Sequence, residues 1–221
     1  MDSIDNNIIY CFWTGTNPIT EKRLHCLEKL EIDTDCTIRL IRAEDLPSYI
    51  LKEHPLHEAY TYLSETHKAD YLRTYFMHFY GGGYTDIKLP TGSWLGAFEE
   101  MRSSPTSLLN GYQERGISWI ANPAVKDFWQ KLPGNSAYIV RPQTVLTSEW
   151  YSSMMNLLDT KLEDLKRNPS TCPRCNKEEY GLYPIEWNEM LGRIFHLVCS
   201  RYMDRIILSV PPPNADLGTY L

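Results

Sequence analysis

The hydrophobic positions near the start of the chain predict a strand, a helix and a second strand. Residues 8–13 are an apolar run of β-branched and aromatic side chains followed by Thr-Gly-Thr-Asn-Pro, which predicts a buried strand and then a loop. Thr20 is placed to cap a helix in which leucine recurs at helical spacing. Residues 37–42 alternate between polar and apolar side chains, as a strand does. Together they predict a β-α-β unit and hence a parallel sheet.

The most regular helical pattern runs from Ser64 to Tyr80. Ser64 can cap this helix, and apolar or aromatic residues recur along one face up to the three glycines at 81–83. A short strand is predicted at 84–89, because Pro90 ends it. The chain is therefore expected to return to the sheet directly after this helix.

Shorter patterns continue the alternation through the rest of the chain. Further strands are predicted at 107–109, 118–121, 138–140 and 206–210. Further helices are predicted at 123–131, 148–166 and 187–203. The polar stretch 167–179 has no period and predicts a surface loop. The alternation and the absence of a linker predict one α/β domain over residues 1–221.

The composition is that of an ordinary globular protein. Of 221 residues, 43% are hydrophobic and 23% are charged, so neither disorder nor a fibrous repeat is indicated. The net charge of −6 argues against a protein that binds nucleic-acid phosphates. The first residues are acidic where a signal peptide is basic, and no apolar run reaches the roughly 18 residues that cross a bilayer. We expect a cytoplasmic protein without a transmembrane segment.

The six cysteines include one close pair, Cys172-Pro-Arg-Cys175. A zinc site usually needs two more ligands, and a redox motif of the thioredoxin type needs a βαβ setting that is not evident here. A metal site, a redox site and a simple loop closure therefore all stay open for this pair.

Four charged residues lie close together in the sequence around the glycines. Asp70 and Arg73 are three residues apart and are therefore neighbours on one face of the predicted helix. Asp86 follows the glycines at 81–83, and Lys88 is expected on the same strand face by the period of two. Two carboxylates, a guanidinium, an ammonium and an open backbone have the chemistry needed to hold a diphosphate and the hydroxyls of a sugar.

Each of these features has a simpler explanation when it is considered alone. An Asp–Arg pair at helical spacing is typical of a surface ion pair, and glycines after a helix are typical of a C-cap. The combination is more specific. The stretches His67-Lys-Ala-Asp-Tyr-Leu-Arg73 and Tyr80-Gly-Gly-Gly-Tyr-Thr-Asp-Ile-Lys88 resemble the sugar-binding region of the DXD-motif glycosyltransferases, which include capsular polysaccharide synthesis proteins and the glucosylating clostridial toxins. That group has a small residue, Asp, two residues and Arg, then a Gly-Gly-x-Tyr turn and Asp-x-Asp.

The resemblance implies a GT-A type domain with a Rossmann-like, mostly parallel central sheet flanked by helices. It also implies transfer of a sugar, with retention of anomeric configuration, from a nucleoside-diphosphate sugar, expected to be a UDP-sugar, to a hydroxyl of a glycan or glycoconjugate. Residues 1–90 would hold the donor and residues 91–221 the acceptor. The nucleotide pocket is expected at the carboxyl ends of the parallel strands, where ligands bind in open α/β sheets generally.

The matching positions imply roles for individual residues. Asp70 and Arg73 would bind hydroxyls of the donor sugar, and Asp86 would contact the ribose or a metal-bound diphosphate; these three form the expected catalytic centre. Trp13 would stack on the base. The expected donor site further comprises Thr14, Lys68, Gly82, Gly83, Tyr84, Lys88 and Trp187.

The chain departs from the family at Lys88, which replaces the second acid of Asp-x-Asp. Either this lysine neutralises the diphosphate itself, or Asp86 and an acid from the C-terminal half hold a divalent ion. Because the departing diphosphate gains negative charge, we expect a Mn²⁺ or Mg²⁺ ion to assist, with Asp86 as a ligand.

Other motifs give weaker indications. The segment 183–189, which contains Trp187, is a candidate wall of the pocket. Glu114 and His196 are candidates for the acceptor side, although a histidine among apolar residues is more often part of the core. Two rival functions stay open: a catalytically inactive module that binds a nucleotide sugar or carbohydrate, and a metal-binding adaptor built around Cys172 and Cys175.

Overall fold

The structure is a computed structural model that describes residues 3–214. Its strands are β1 (Ile8–Trp13), β2 (Thr37–Arg42), β3 (Gly82–Thr85), β4 (Leu109–Gln113), β5 (Pro133–Val140) and β6 (Ile206–Ile207). Its α-helices are α1 (Glu21–Asp33), α2 (Leu46–Tyr49), α3 (Glu65–Phe79), α4 (Leu95–Ser103), α5 (Val145–Arg167), α6 (Lys177–Tyr180) and α7 (Gly192–Ser200). The 3-10 helices are Glu58–Tyr62, Ile117–Trp119, Pro123–Lys131 and Met203–Arg205.

The described strands form one six-stranded sheet in the order β2-β1-β3-β5-β4-β6. β1 pairs in parallel with β2 and β3, and β4 pairs in parallel with β6. β5 is antiparallel to both of its neighbours, so it alone among these strands runs against the rest. The predicted α/β fold with a mostly parallel sheet flanked by helices is confirmed, and it is consistent with the GT-A type.

The most regular patterns in the sequence correspond to the observed elements. β1 and β2 have the predicted bounds of 8–13 and 37–42. The Thr20 side chain accepts a hydrogen bond from Arg23 N–H at the start of α1, and Ser64 caps α3 in the same way by accepting from His67 N–H. The caps and the 3.6-residue period together locate these helices because both are local properties of the sequence.

Several predicted elements differ from the structure. The strand predicted at 118–121 is instead the 3-10 helix Ile117–Trp119, and the helix predicted at 123–131 is a 3-10 helix. The predicted helix 187–203 is confined to Gly192–Ser200, and α4 was not predicted. The strands predicted at 107–109 and 138–140 are displaced or shorter than β4 and β5, the strand predicted at 206–210 is longer than β6, and the helix predicted at 148–166 lies within α5. Segments this short carry too few periods to distinguish a strand from a turn.

β3 begins two residues before the strand predicted at 84–89 and ends at Thr85. Gly82 and Gly83 belong to the strand, where β3 lies very close to β1: a Cβ at Gly83 would be 2.8 Å from Ile9 Cγ1. Beyond Thr85 the chain bends, with Lys88 N–H donating to the Asp86 carbonyl at 2.7 Å. Asp86 and Lys88 therefore lie on a turn after the strand, and the expected strand alternation does not apply to them.

The core explains why β1 is an unbroken apolar run. Tyr10 and Phe12 pack edge-on against Phe76 of α3 on one face of the sheet. Ile9 packs with Phe98 of α4 on the other face. A strand covered by helices on both faces has no solvent-facing positions, so its sequence does not alternate.

The longest helix, α5, has 23 residues, which is long enough to cross a bilayer. It contains acidic and basic residues along its length. Within residues 3–214, no helix combines the length and the apolar character that a membrane span needs.

Candidate functional site

The candidate site is a pocket at the carboxyl ends of β1 and β3. Trp13 is the last residue of β1, and Asp86 follows the last residue of β3. The pocket is lined by residues that include Phe12, Trp13, Thr14, Arg73, Tyr84 and Asp86. This is the edge at which ligands bind in open α/β sheets, and three of the predicted donor residues, Trp13, Thr14 and Tyr84, lie there.

Asp86 is the centre of a buried polar network. Its Oδ1 accepts a hydrogen bond from the Tyr84 hydroxyl at 2.7 Å and lies 3.5 Å from Arg73 Nη2. Its Oδ2 lies 2.9 Å from Lys88 Nζ. Since the Asp86 side chain is only 7% exposed, two cations are held next to one carboxylate largely out of solvent.

Arg73 joins this network to the helix and to β5. Its Nη2 lies 3.0 Å from Asp70 Oδ1, and its Nη1 donates to the Asn135 carbonyl at 2.9 Å. The guanidinium carbon is 4.4 Å from the centre of the Tyr84 ring. Burial opposes the charge, but Tyr84, Asp70 and Asp86 outweigh it and raise the pKa of Arg73 well above its usual value. Arg73 is therefore a fixed cation in the pocket wall.

Asp70 lies behind Arg73 and does not line the pocket. Burial raises the pKa of its carboxyl group to about 6; Arg73 opposes the shift and Asp86 adds to it. The geometry thus brings together the predicted trio Asp70, Arg73 and Asp86. It places Asp70 as a partner of the guanidinium, and its predicted contact with a sugar stays a prediction.

Trp13 provides an aromatic surface at the mouth of the pocket. Its indole N–H donates to the Asn17 carbonyl at 2.9 Å, which fixes the ring on the loop after β1. The ring is partly exposed and lies beside Phe12 and Thr14 in the pocket lining. A partly exposed ring held by its one polar atom can stack on a flat ligand, as predicted for the base.

Other predicted site residues lie around the pocket. Lys68 is paired with Glu65 Oε1 at 2.9 Å, and it is Glu65 that lines the pocket. Gly82 and Gly83 face β1: a Cβ at Gly82 would be 2.7 Å from Ser3 Cβ and 2.9 Å from the Ile8 carbonyl oxygen. These two glycines have a clear packing role, and their contact with a donor stays a prediction.

The segment around Trp187 lies against α3 and does not line the pocket. The Trp187 N–H donates to the Glu178 carboxylate at 3.0 Å, and the Tyr183 hydroxyl is 2.9 Å from His67 Nδ1. Burial lowers the pKa of His67 to about 4, so this histidine is a neutral packing partner. The structure gives no contact between Trp187 and the pocket, and its expected role there stays a prediction.

Glu114 and His196 form a separate buried pair. The Glu114 Oε2 atom lies 3.9 Å from His196 Nε2, and His196 Nδ1 accepts from the Ala121 N–H at 3.0 Å. Burial raises the pKa of Glu114 and lowers that of His196 to about 4. Neither residue lines the pocket, so His196 has the surroundings of a core histidine.

Arg23, Pro173 and Arg174 are among the pocket residues that were not identified from the sequence. The Arg23 guanidinium donates to the Ile87 carbonyl, and Arg23 is buried on the same face of α1 as Cys26 and Leu30. In the sequence, the one indication of this role was that an arginine lies on the apolar face of the predicted helix. Pro173 and Arg174 come from a loop distant in sequence, where no pattern indicated a contact.

The described residues do not form a divalent-metal site. Within the part of the chain that the structure describes, no three His, Cys, Asp or Glu side chains are grouped as metal ligands. Asp86, the predicted ligand, has the Lys88 ammonium and the Arg73 guanidinium within 3.5 Å of its oxygens. Two cations at a carboxylate disfavour a third positive charge. The chemistry of this donor set therefore does not fit Mn²⁺ or Mg²⁺, and the expected metal dependence stays a prediction.

Comparison with known proteins gives no family assignment. No protein family matches the sequence, and no curated protein does. One solved structure, "PaToxG Glycosyltransferase", is similar over 90% of this chain and 70% of that chain, with a TM-score of 0.49 and 12% sequence identity. The function must therefore be inferred from the residues of the site.

Proposed function

We propose that this chain is a glycosyltransferase that moves a sugar from a nucleoside-diphosphate sugar, a UDP-sugar, to a hydroxyl of a glycan or glycoconjugate. The observation that carries the proposal is the pairing of Arg73 and Lys88 with Asp86 near the partly exposed ring of Trp13. Cations next to an aromatic surface are the groups that a diphosphate and a base require.

In this proposal the donor lies across the carboxyl edge of β1 and β3. The base stacks on Trp13, and the diphosphate takes its charge complement from Lys88 and Arg73. Arg23, which lines the pocket, adds a third cation. Lys88 is not in the pocket lining; it lies on an adjoining cavity whose lining also includes Arg23. Asp70 holds Arg73 in place, since an arginine gripped by a carboxylate and a backbone carbonyl is pre-oriented for a ligand.

The reaction is attack of the acceptor hydroxyl oxygen on the anomeric carbon as the bond to the diphosphate oxygen breaks. The electron pair of that bond goes to the departing nucleoside diphosphate, and the acceptor gives up its hydroxyl proton. Fixed cations stabilise the charge that develops on the leaving group, because they do not reorganise during the reaction. We assign this role to Lys88 and Arg73.

A second candidate function is an inactive module that binds a nucleotide sugar. The Lys88–Asp86 pair, with Nζ and Oδ2 2.9 Å apart, favours it, because this pair occupies the position where the resembling enzymes have two acids. The pair would still attract a diphosphate. The two candidates therefore share a ligand and differ in turnover.

Two measurements on the purified chain separate these possibilities. A thermal-shift panel of nucleotide sugars, with manganese or with chelator, should show a rise in melting temperature for a UDP-sugar, because a ligand that binds only the native state stabilises it. Release of free UDP from that donor in the presence of glycan acceptors would support transfer. Binding without release would support the inactive module, and absence of binding to every nucleotide sugar would contradict both.

A further inference from the structure

The Cys172-Pro-Arg-Cys175 loop forms part of the pocket wall. The two residues between the cysteines, Pro173 and Arg174, line the pocket. The Pro173 carbonyl accepts hydrogen bonds from the Thr66 N–H at 3.1 Å and from the Thr66 hydroxyl at 3.3 Å. Thr66 is in the first turn of α3, the helix that carries Arg73. The position of this loop and the shape of the pocket are thus linked.

The two thiols are placed to react with each other. Their sulfur atoms are 3.1 Å apart, Cys175 is buried, and Cys172 is partly exposed. The Thr171 N–H donates to Cys175 Sγ at 3.4 Å. Burial opposes ionisation of Cys175, but hydrogen bonds from Cys172, Ser170 and Thr171 outweigh it and lower the pKa of this thiol.

A metal site does not explain the pair. Within residues 3–214, no third His, Cys, Asp or Glu joins these two cysteines as a ligand. A structural zinc ion needs four ligands. The adaptor function that the sequence left open therefore has no support among the described residues.

We propose that Cys172 and Cys175 are a redox modification site: they form a reversible disulfide that fixes the Pro173–Arg174 wall and strengthens nucleotide binding in the adjacent pocket. The effect on binding rests on the proposed function, whereas formation of the disulfide does not. The physical basis is preorganisation, since a loop already held in its bound position loses less conformational freedom when the ligand arrives.

The oxidant is a low-molecular-weight disulfide such as oxidised glutathione. The partly exposed Cys172 thiolate attacks one of its sulfurs, which forms a mixed disulfide and releases one glutathione thiolate. The Cys175 thiolate then attacks the Cys172 sulfur and releases the second glutathione. Two protein thiols are oxidised and one glutathione disulfide is reduced to two thiols, so that electrons and protons balance.

Peptide mapping tests the bond without reference to any ligand. Trypsin cuts between Pro173-Arg174 and Cys175, which gives peptides 168–174 and 175–177. After incubation of the full chain with oxidised glutathione and alkylation of free thiols, these two peptides should be recovered as one linked species. Dithiothreitol should separate them. Free, alkylated peptides at a large excess of oxidised glutathione would overturn the proposal.

Hydrogen exchange and calorimetry test the consequence. Oxidation should slow exchange of the Thr66 amide, which donates to Pro173, and should tighten UDP-sugar binding by roughly threefold to tenfold. Cys172→Ser should lose both responses, whereas Cys36→Ser, on another part of the surface, should keep them. A linked peptide with unchanged exchange and affinity would refute the coupling. If reduced wild-type protein binds no nucleotide sugar, the proposed function fails, but the mapping and exchange results still decide the modification site.

Discussion

The ammonium group of Lys88 lies 2.9 Å from Oδ2 of Asp86, at the position where the resembling glycosyltransferases have a second acid. The pair is formed across a turn that directly follows β3, and both side chains are mostly buried. A lysine there converts a candidate metal-binding edge into a candidate anion-binding edge.

Replacing Lys88 tests this conversion. We expect Lys88→Ala to weaken UDP-sugar binding about tenfold or more even with saturating manganese, because a charged hydrogen bond contributes roughly 1.5–3 kcal/mol. Wild-type activity should survive chelation. Calorimetry measures the binding of the variant, and turnover in EDTA measures the activity of the wild type. Lys166→Ala on α5 is the surface control. Loss of wild-type activity in chelator would show that an ion is needed.

Arg73 is expected to be the most sensitive residue of the cluster. Arg73→Lys keeps the charge, but an ammonium cannot reproduce the planar contacts to Asp70, Asp86 and Asn135 together. Arg73→Ala leaves two buried carboxylates without their shared cation, which should cost roughly 3–5 kcal/mol of unfolding free energy. Chemical denaturation measures this cost. A free energy of unfolding equal to that of the wild type for Arg73→Ala would contradict a shared, buried pairing of Arg73 with Asp70 and Asp86.

Asp70 should make stability depend on pH in an unusual direction. Burial raises its pKa to about 6 from the usual 3.8, so between these values the folded state binds more protons than the unfolded state. The contribution of Asp70 to stability is therefore full below 3.8 and is lost as the pH rises through 6.

Asp70→Asn should remove this pH dependence and leave stability at pH 7 equal or higher. Turnover should fall by at least about tenfold, because Arg73 loses its anionic partner and its orientation. Denaturation at pH 5 and pH 7 and steady-state kinetics check the two expectations. Full activity in the variant would mean that Asp70 has only a structural role.

Trp13→Ala should weaken nucleotide binding by about 1–3 kcal/mol, the range found for base stacking on aromatic side chains. Trp119→Ala is a suitable control, since Trp119 is an exposed tryptophan that does not line the pocket. Calorimetry with UDP alone isolates the stacking contribution from contacts with the sugar. Equal affinity in wild type and Trp13→Ala would remove this ring from the binding site.

Gly82 tests the close approach of β3 to β1. Gly82→Ala should destabilise the fold by at least roughly 1–2 kcal/mol, since φ is +85° there and the new Cβ would meet the Ile8 carbonyl oxygen at 2.9 Å. Gly96→Ala is the matched control: nothing lies within 4 Å of its Cβ, and it is inside α4. The control should stabilise the protein by about 0.5–1 kcal/mol. Denaturant titration measures the free energy of unfolding, which should fall for Gly82→Ala and rise for Gly96→Ala.

The parts of the site that the sequence predicted correctly depend on local geometry. Asp70 and Arg73 were expected to be neighbours because they are three residues apart on a helix, and they are paired in the structure. The resemblance implied that Trp13, at the end of the first predicted strand, stacks on the base; the pocket was expected at the carboxyl ends of the parallel strands, and Trp13 lines it. Helical and strand periods fix such relationships without knowledge of the rest of the fold.

The parts that the sequence did not predict depend on contacts between distant segments. Arg174 reaches the pocket from a loop that has no period, and Asn135 contacts Arg73 through its backbone carbonyl, which any residue type has. Asp86 and Lys88 were expected on a strand face, but β3 pairs with β5 only over Gly82–Thr85 and ends before them. Side-chain patterns carry no information about such contacts.

The hydrogen bond from Arg73 to the Asn135 carbonyl bears on whether the donor region can exist by itself. β3 pairs on its outer side with β5, and β5 belongs to the second half of the chain. A fragment that ended near residue 90 would have an exposed strand edge and an arginine without its carbonyl partner. The expected donor half, residues 1–90, would therefore depend on a strand of the expected acceptor half to complete the sheet beside β3. A chimaera that took β3 from a related sequence would therefore also need β5 from that sequence, since the two strands pair.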